Sequence, residues 1–155
     1  MLTNERTRKV AGRTATWLAI ATACVGAFEG LRTLAYRDPV GIPTVCFGET
    51  RGVVMGDRHT IEECKDMLGV SLIEFNAGVD SCIRAPLSDT RRAAVVSFAY
   101  NVGVGALCNS TFARRLNAGD PDACDELLKW TKAGGVTWPG LVRRRQDERK
   151  LCREG

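Results

Sequence analysis

Polar and apolar positions are sorted into blocks at the start of this chain and interleaved after it. The first thirteen residues are polar and basic, with Arg6, Arg8, Lys9 and Arg13 against Glu5. The next fifteen, Thr14 to Phe28, read TATWLAIATACVGAF and carry no charge. The run is shorter than the roughly 20 residues that span a bilayer comfortably. It is also too evenly apolar for an amphipathic surface helix. Three readings compete: a weak export anchor, a signal-peptide core, and a first buried helix. A basic flank followed by an apolar run fits insertion with the N-terminus inside. Ala21-Thr22-Ala23 offers a small-residue cleavage site before Cys24, although Ala21 stands where lipoprotein cleavage wants a larger aliphatic.

From Gly30 to about Arg58 the chain is rich in β-branched residues, aromatics, Gly and Pro, which predicts two or three short strands. Thr60 with Glu63 forms a capping box and predicts a helix to about Asn76. Ser88 caps the next helix, whose buried end is VVSFAYNVG and which breaks at Gly103 and Gly105. Ser110 or Thr111 caps a short helix ending near Gly119. Asp120-Pro121 opens a helix to about Lys132. Ala133-Gly134-Gly135 reads as a loop, and Pro139 opens a final helix to about Arg153. The class is α+β and mostly helical, with one small sheet placed early.

A chain of 155 residues forms one domain with one core. Hydrophobic residues at 45% and charged residues at 26% exclude disorder, collagen and coiled coil. Lys and Arg number 22 against 18 acidic residues, a net charge of +4. That excess suits a cell wall, a membrane surface or a nucleic acid without choosing among them. No nucleic-acid motif is recognisable, and no nucleic-acid partner is expected. The single histidine, His59, excludes chemistry that needs two and is expected on the surface, not on a metal. Seven cysteines, none spaced Cys-x2-Cys, predict disulfides made in an oxidising compartment, with one thiol left over.

Glu29 ends the apolar run, Asp38 follows after eight residues, and Thr44 after five more. A carboxyl at a helix C-terminus beside apolar neighbours is disfavoured in its ionised form, which suits a general acid. Asp38, in a Gly- and Pro-rich turn beside Arg37, is expected to stay ionised. Two carboxyls in unlike environments are what glycosidic cleavage requires, and a hydroxyl such as Thr44 can hold the attacking water. Carboxyls at this spacing also occur as ordinary solvated groups.

The stretch FEGLRTLAYRDPVGIPTVCFGET resembles the active-site segment of the phage-type lysozymes, glycoside hydrolase family 24. That family's pattern is Glu, eight residues, Asp or Cys, five residues, Thr. The resemblance continues through SFAYNVGVGALCNSTFARRLNAGD, KWTKAGG and PGLVRRRQDE, and so covers about Phe28 to Cys152. It implies a lysozyme-like fold with a helical lobe. It also implies an endolysin muramidase that cuts the β-1,4 bond between N-acetylmuramic acid and N-acetylglucosamine in peptidoglycan, for host cell lysis. The acid maps to Glu29, the second carboxylate to Asp38 and the water-holding hydroxyl to Thr44; no cofactor is implied. A lytic transglycosylase and an inactive peptidoglycan-binding module are the alternatives. Glu49 departs from the His or small polar residue of many relatives, and is read as pairing with Arg51. The family tends to place an arginine of the last helix near the acid, with Arg143, Arg144 and Arg145 as candidates. Most of that basic run reads as a solvated face meeting an anionic wall.

The 28 residues before Glu29 resemble the signal-anchor-release segment of one kind of endolysin. By that resemblance residues 1–28 are a basic N-terminus plus anchor, and residues 29–155 the lysozyme domain. The protein is then expected to be a monomer, exported, tethered to the host inner membrane through residues 14–28, and later periplasmic. Pairing cysteines on neighbouring elements gives Cys46–Cys64, Cys82–Cys108 and Cys124–Cys152, one of fifteen possible maps. Cys24 is left unpaired.

Overall fold

In the computed structural model the apolar run is the second half of one helix, α1 (Thr3–Glu29). The structure describes residues 3–155 and the side chains from residue 16 onward; the basic side chains Arg6 to Arg13 lie outside the described residues. Trp17, Ala21 and Val25 recur every fourth position and are buried. Ala19, Ala23 and Ala27 recur on the opposite face and are exposed. The helix is thus two-faced in burial but not in chemistry, because its solvent face is alanine. No helix among the described residues is long and apolar enough to cross a membrane.

Gly30 stops α1 and turns the chain into β1 (Arg32–Arg37), which pairs antiparallel with β2 (Pro43–Cys46). Tyr36 lies opposite Thr44, and Arg37 opposite Pro43. Isolated bridges join Leu34 to Arg58 and Val45 to Glu49, completing the small early sheet. The Thr60 capping box forms as expected and starts α2 (Ile61–Cys82). This helix runs six residues beyond Asn76, because Gly78 is a contact and not a break. The Val104 side chain lies 2.5 Å from where a Cβ at Gly78 would be, so only glycine admits that approach.

Ser88 caps α3 (Asp89–Val102), whose residues Ala93 to Ala99 are all buried. A helix buried on every face is the core of its lobe, and α1, α2, α4 and α6 all pack on it. Gly103 ends α3, but Gly105 lies inside the next helix, α4 (Val104–Cys108), and breaks nothing. Ser110 caps α5 (Thr111–Asn117). The segment after Asp120 is a 3₁₀ helix over Ala123–Lys129, shorter and tighter than the α-helix expected. Where a plain loop was expected, Lys132–Ala133 (β3) and Val136–Thr137 (β4) pair across Gly134-Gly135. Both glycines have positive φ, 59° and 76°, as a two-residue hairpin turn requires. Pro139 opens α6 (Pro139–Glu154). Phe98 packs edge-on against both Phe112 and Trp130, filling the space between α3, α5 and the 3₁₀ segment.

The three neighbour pairings are the disulfides present: Cys46–Cys64, Cys82–Cys108 and Cys124–Cys152. Cys24 is free and half-buried, and burial pushes its thiol above the usual range. Peptide mapping without reduction should return those three linked pairs and no Cys24 conjugate. Because the thiolate is the reactive form, iodoacetamide should label Cys24 more slowly in the native chain than in the denatured one. Removing the Cys82–Cys108 link should lower the unfolding free energy by about 2–5 kcal/mol in a denaturant titration.

Candidate active site

Glu29 sits where α1, the β2 corner and α6 converge. Its side chain is 25% exposed. Arg144, from α6, donates from Nη1 to Glu29 Oε1 at 2.6 Å across 115 residues of chain. Of the three candidate arginines, the helix phase therefore selects Arg144. Arg143 is exposed and Arg145 points into the core. The other oxygen, Oε2, faces Gly48, 3.8 Å from where a Cβ would stand there.

The corner that carries Gly48 is held by three links. Val45 and Glu49 exchange backbone hydrogen bonds of 2.9 Å in both directions. Cys46 holds φ at 60°, a left-handed conformation that costs a non-glycine residue about 1–3 kcal/mol. Its disulfide ties it to α2, and Tyr100 of α3 donates its hydroxyl to Phe47 O at 2.8 Å. The turn aims Glu49 into the same cleft as Glu29. That cleft has a volume of about 500 Å³, with Ser71 and Phe75 of α2 on one wall and Tyr100 and Asn101 of α3 at its base. Glu49 accepts from Ser71 Oγ at 2.9 Å and from the Arg51 amide at 3.2 Å. Arg51 also reaches Glu49 at 3.6 Å and Glu74 at 2.9 Å, so the expected pairing with Arg51 is present but shared with Ser71. Burial, with Glu29 and Glu49 nearby, pushes the Tyr100 phenol up to about 12, so it remains a donor.

Asp38 and Thr44 are not among the residues lining this cleft; both lie on the β1–β2 hairpin. Asp38 Oδ1 accepts from the amides of Val40 at 3.0 Å and Ile42 at 2.8 Å, which fixes the turn and the carboxylate together. Arg37, expected beside Asp38, instead donates to Gly41 O at 3.0 Å. Thr44 is buried and donates its hydroxyl to Ile42 O at 2.9 Å. With its proton committed inward, the Thr44 oxygen is left to accept, the role needed to hold a water. His59 lies at the start of α2, with its amide on Thr33 O at 2.8 Å and its ring 3.1 Å from Glu63.

The RRRQDERK segment is solvated only in part: Arg143, Gln146, Asp147 and Lys150 are exposed. Arg144, Arg145 and Glu148 are buried, at 4%, 1% and 0% exposure. Glu148 Oε1 accepts from Arg144 Nε at 2.9 Å and from Arg145 Nη1 at 2.8 Å. Ser97 Oγ donates to the same carboxylate at 3.3 Å. Arg145 continues to Trp130 O at 2.9 Å and to Asn101 Oδ1. Burial pushes the Glu148 carboxyl up and the Arg145 guanidinium down, and their attraction opposes both. The signal was present in the chain: Glu148 stands at i+4 from Arg144 and i+3 from Arg145.

A carboxyl at the end of a helix, held by an arginine from the last helix beside a strand corner, defines a lysozyme-type glycoside hydrolase. The phage lysozyme family model matches residues 26–148, and the chain belongs to that family. It is 43% identical over 126 residues to the SAR-endolysin of Bacteriophage PS119, covering 80% of this chain and 75% of that one. The muramidase domain of SpmX from Asticaccaulis excentricus superposes with a TM-score of 0.79 at 31% identity, covering 85% of this chain and 93% of that one. The active form of P1 phage endolysin Lyz superposes with a TM-score of 0.77 at 25% identity, covering 86% and 82%.

Tyr100→Phe should remove the tether on Phe47 O and lower stability by about 1–3 kcal/mol, read by thermal or denaturant unfolding. In a spectrophotometric titration, the phenolate absorbance lost in that variant should be the part that rises near pH 12 in the parent.

Proposed function

We propose that the protein is an exported endolysin muramidase that hydrolyses the β-1,4 bond between N-acetylmuramic acid and N-acetylglucosamine in host peptidoglycan. The observation that carries this reading is the placement of Glu29: a half-shielded carboxyl in a cleft, with Oε1 on Arg144 and Oε2 left toward the Gly48 corner. In the mechanism, Glu29 donates its proton to the glycosidic oxygen as the C1–O bond breaks. A water held by the Thr44 oxygen attacks C1 from the other face and gives its proton to Asp38. Asp38 then releases its proton to solvent and Glu29 takes one up, which restores both carboxyls for the next turnover. Every group in this scheme belongs to one chain, which fits a monomer.

Glu29→Gln should abolish peptidoglycan lysis, since the amide has no proton to give, with the fold retained but the unfolding midpoint lowered because Arg144 loses its counter-charge. Asp38→Asn and Thr44→Ala should each lower kcat by about 10²-fold or more, Thr44→Ala the less. Full activity in the Glu29 variant would remove the assignment. Products with reducing ends identify hydrolysis; anhydro-sugar ends would identify a lytic transglycosylase instead.

The second half of the proposal is that residues 1–28 anchor the protein in the inner membrane before residues 29–155 act in the periplasm. Three disulfides call for an oxidising compartment. The solvent face of α1 over residues 17–28 has no charge. Open apolar grooves of about 530 and 630 Å³ flank it, sharing Ala23, so its outer face carries apolar surface that the lobe does not cover. Ala19→Leu with Ala27→Leu adds apolar surface outside the core. It should hold more protein in the membrane fraction and delay lysis. Lysis on the normal schedule, or a parent protein never found with membranes, would leave α1 as a core helix only.

A further inference from the structure

We propose that Glu148 is a positioning residue for the acid: it fixes Arg144 so that the guanidinium meets Glu29 at one set distance. The inference rests on the glycosidase reading above. Arg144 has three nitrogens, and each is committed. Nε goes to Glu148 at 2.9 Å, Nη2 to Ser97 O at 3.1 Å, and Nη1 to Glu29 at 2.6 Å. Two of these bonds lie in the buried core, so the third has no freedom to wander. The same carboxylate holds Arg145, whose Nη2 bonds Asn101 at the base of the cleft. One fully buried side chain thus sets two positions in the cleft without touching it.

The groups facing Glu148 come from three elements. They are Arg144 and Arg145 on α6, Ser97 on α3, and on α1 the Cys24 thiol, 3.7 Å from Ser97 Oγ. Replacing the carboxylate by an amide removes the negative charge that offsets the two arginines and weakens the bond that fixes Arg144 Nε.

The test uses the full chain with Glu148→Gln, Glu148→Asp and, as a control, Leu127→Ala. Leu127 is buried in the same lobe and outside the cleft, so its loss lowers stability with kcat unchanged. Glu148→Gln should lower kcat at least about tenfold, with KM within about twofold; a 1 Å misplacement alone can cost about 10²-fold. Glu148→Asp keeps the buried charge but shortens the reach. It should also lower kcat, and decides the matter if the glutamine variant does not fold. A kcat loss matched by Leu127→Ala, or both Glu148 variants at parent activity, would overturn the proposal.

A readout without turnover separates this inference from the glycosidase reading. Nitrogen-resolved NMR should show the Arg144 Nε–H slowly exchanging in the parent and exposed in Glu148→Asp. If that holds in a parent chain that cleaves no peptidoglycan, the function has failed and the positioning has not. If the Arg144 signal is unchanged in an active parent and its variant, the positioning has failed alone.

Discussion

Two guanidinium groups lie buried in the helical lobe against one fully buried carboxylate. Their charges do not balance among themselves. Burying an ion without a partner costs several kcal/mol even after relaxation, so the lobe requires one more negative group. Glu29 is that group, and it arrives on α1 from the other end of the chain. The Glu29 carboxyl of the candidate site, when ionised, is therefore also the counter-charge of the core. The docking of α1 and the completion of the lobe's electrostatics are one event. This explains why Arg144, and not its exposed neighbour Arg143, reaches the cleft: only a buried arginine makes Glu29 necessary to the fold.

The other side of the cleft is built on a different principle. The corner from Val45 to Glu49 sinks Val45, Cys46 and Phe47 into the core and is held further by discrete links. A bridge, a disulfide to α2 and a tyrosine hydroxyl from α3 fix a backbone that includes a left-handed cysteine. Strain of this kind persists only where the surroundings over-determine it. Here the result is that Gly48 stands open before Glu29 Oε2, while Glu49 is turned inward to Ser71 and Arg51. Thr44 lies two residues before the strained cysteine, so the disulfide that stabilises the corner also fixes the strand carrying the Thr44 hydroxyl.

Local chemistry was legible in the sequence where it alone decides the outcome. The capping box at Thr60, the caps at Ser88 and Ser110, and the proline at the start of α6 predicted those helix starts. The three disulfides followed from pairing neighbours along the chain. The reading failed where a partner distant in sequence decides. Gly78 resembles a helix break until Val104 is seen against it. The arginine-rich segment of α6 resembles a solvated face until α3 and the 3₁₀ segment pack on it. For the candidate site, the spacing of Glu29, Asp38 and Thr44 was readable, but the choice of Arg144 was not. That choice depends on the rotation of α6 against α3, which no local pattern records.

The same electrostatic argument bears on how α1 is held. Its apolar part is seated in the core: Trp17, Ala21 and Val25 are buried, and the opposite face is alanine. Fifteen uncharged residues rise only about 22 Å as a helix, short of a hydrocarbon core of about 30 Å. A bilayer alone would hold such a segment weakly, whereas the lobe offers it both apolar burial and a counter-charge. With α1 withdrawn, Glu29 leaves the buried arginines short of a negative charge; with α1 docked, the charge returns and the carboxyl enters the cleft. The helix is thus drawn toward the lobe by its buried face and by the same carboxyl that the proposed reaction uses. Tethering α1 away from the lobe removes the acid and the counter-charge together. Docking and competence are then coupled through Glu29 itself, and the scheme needs no separate regulatory contact.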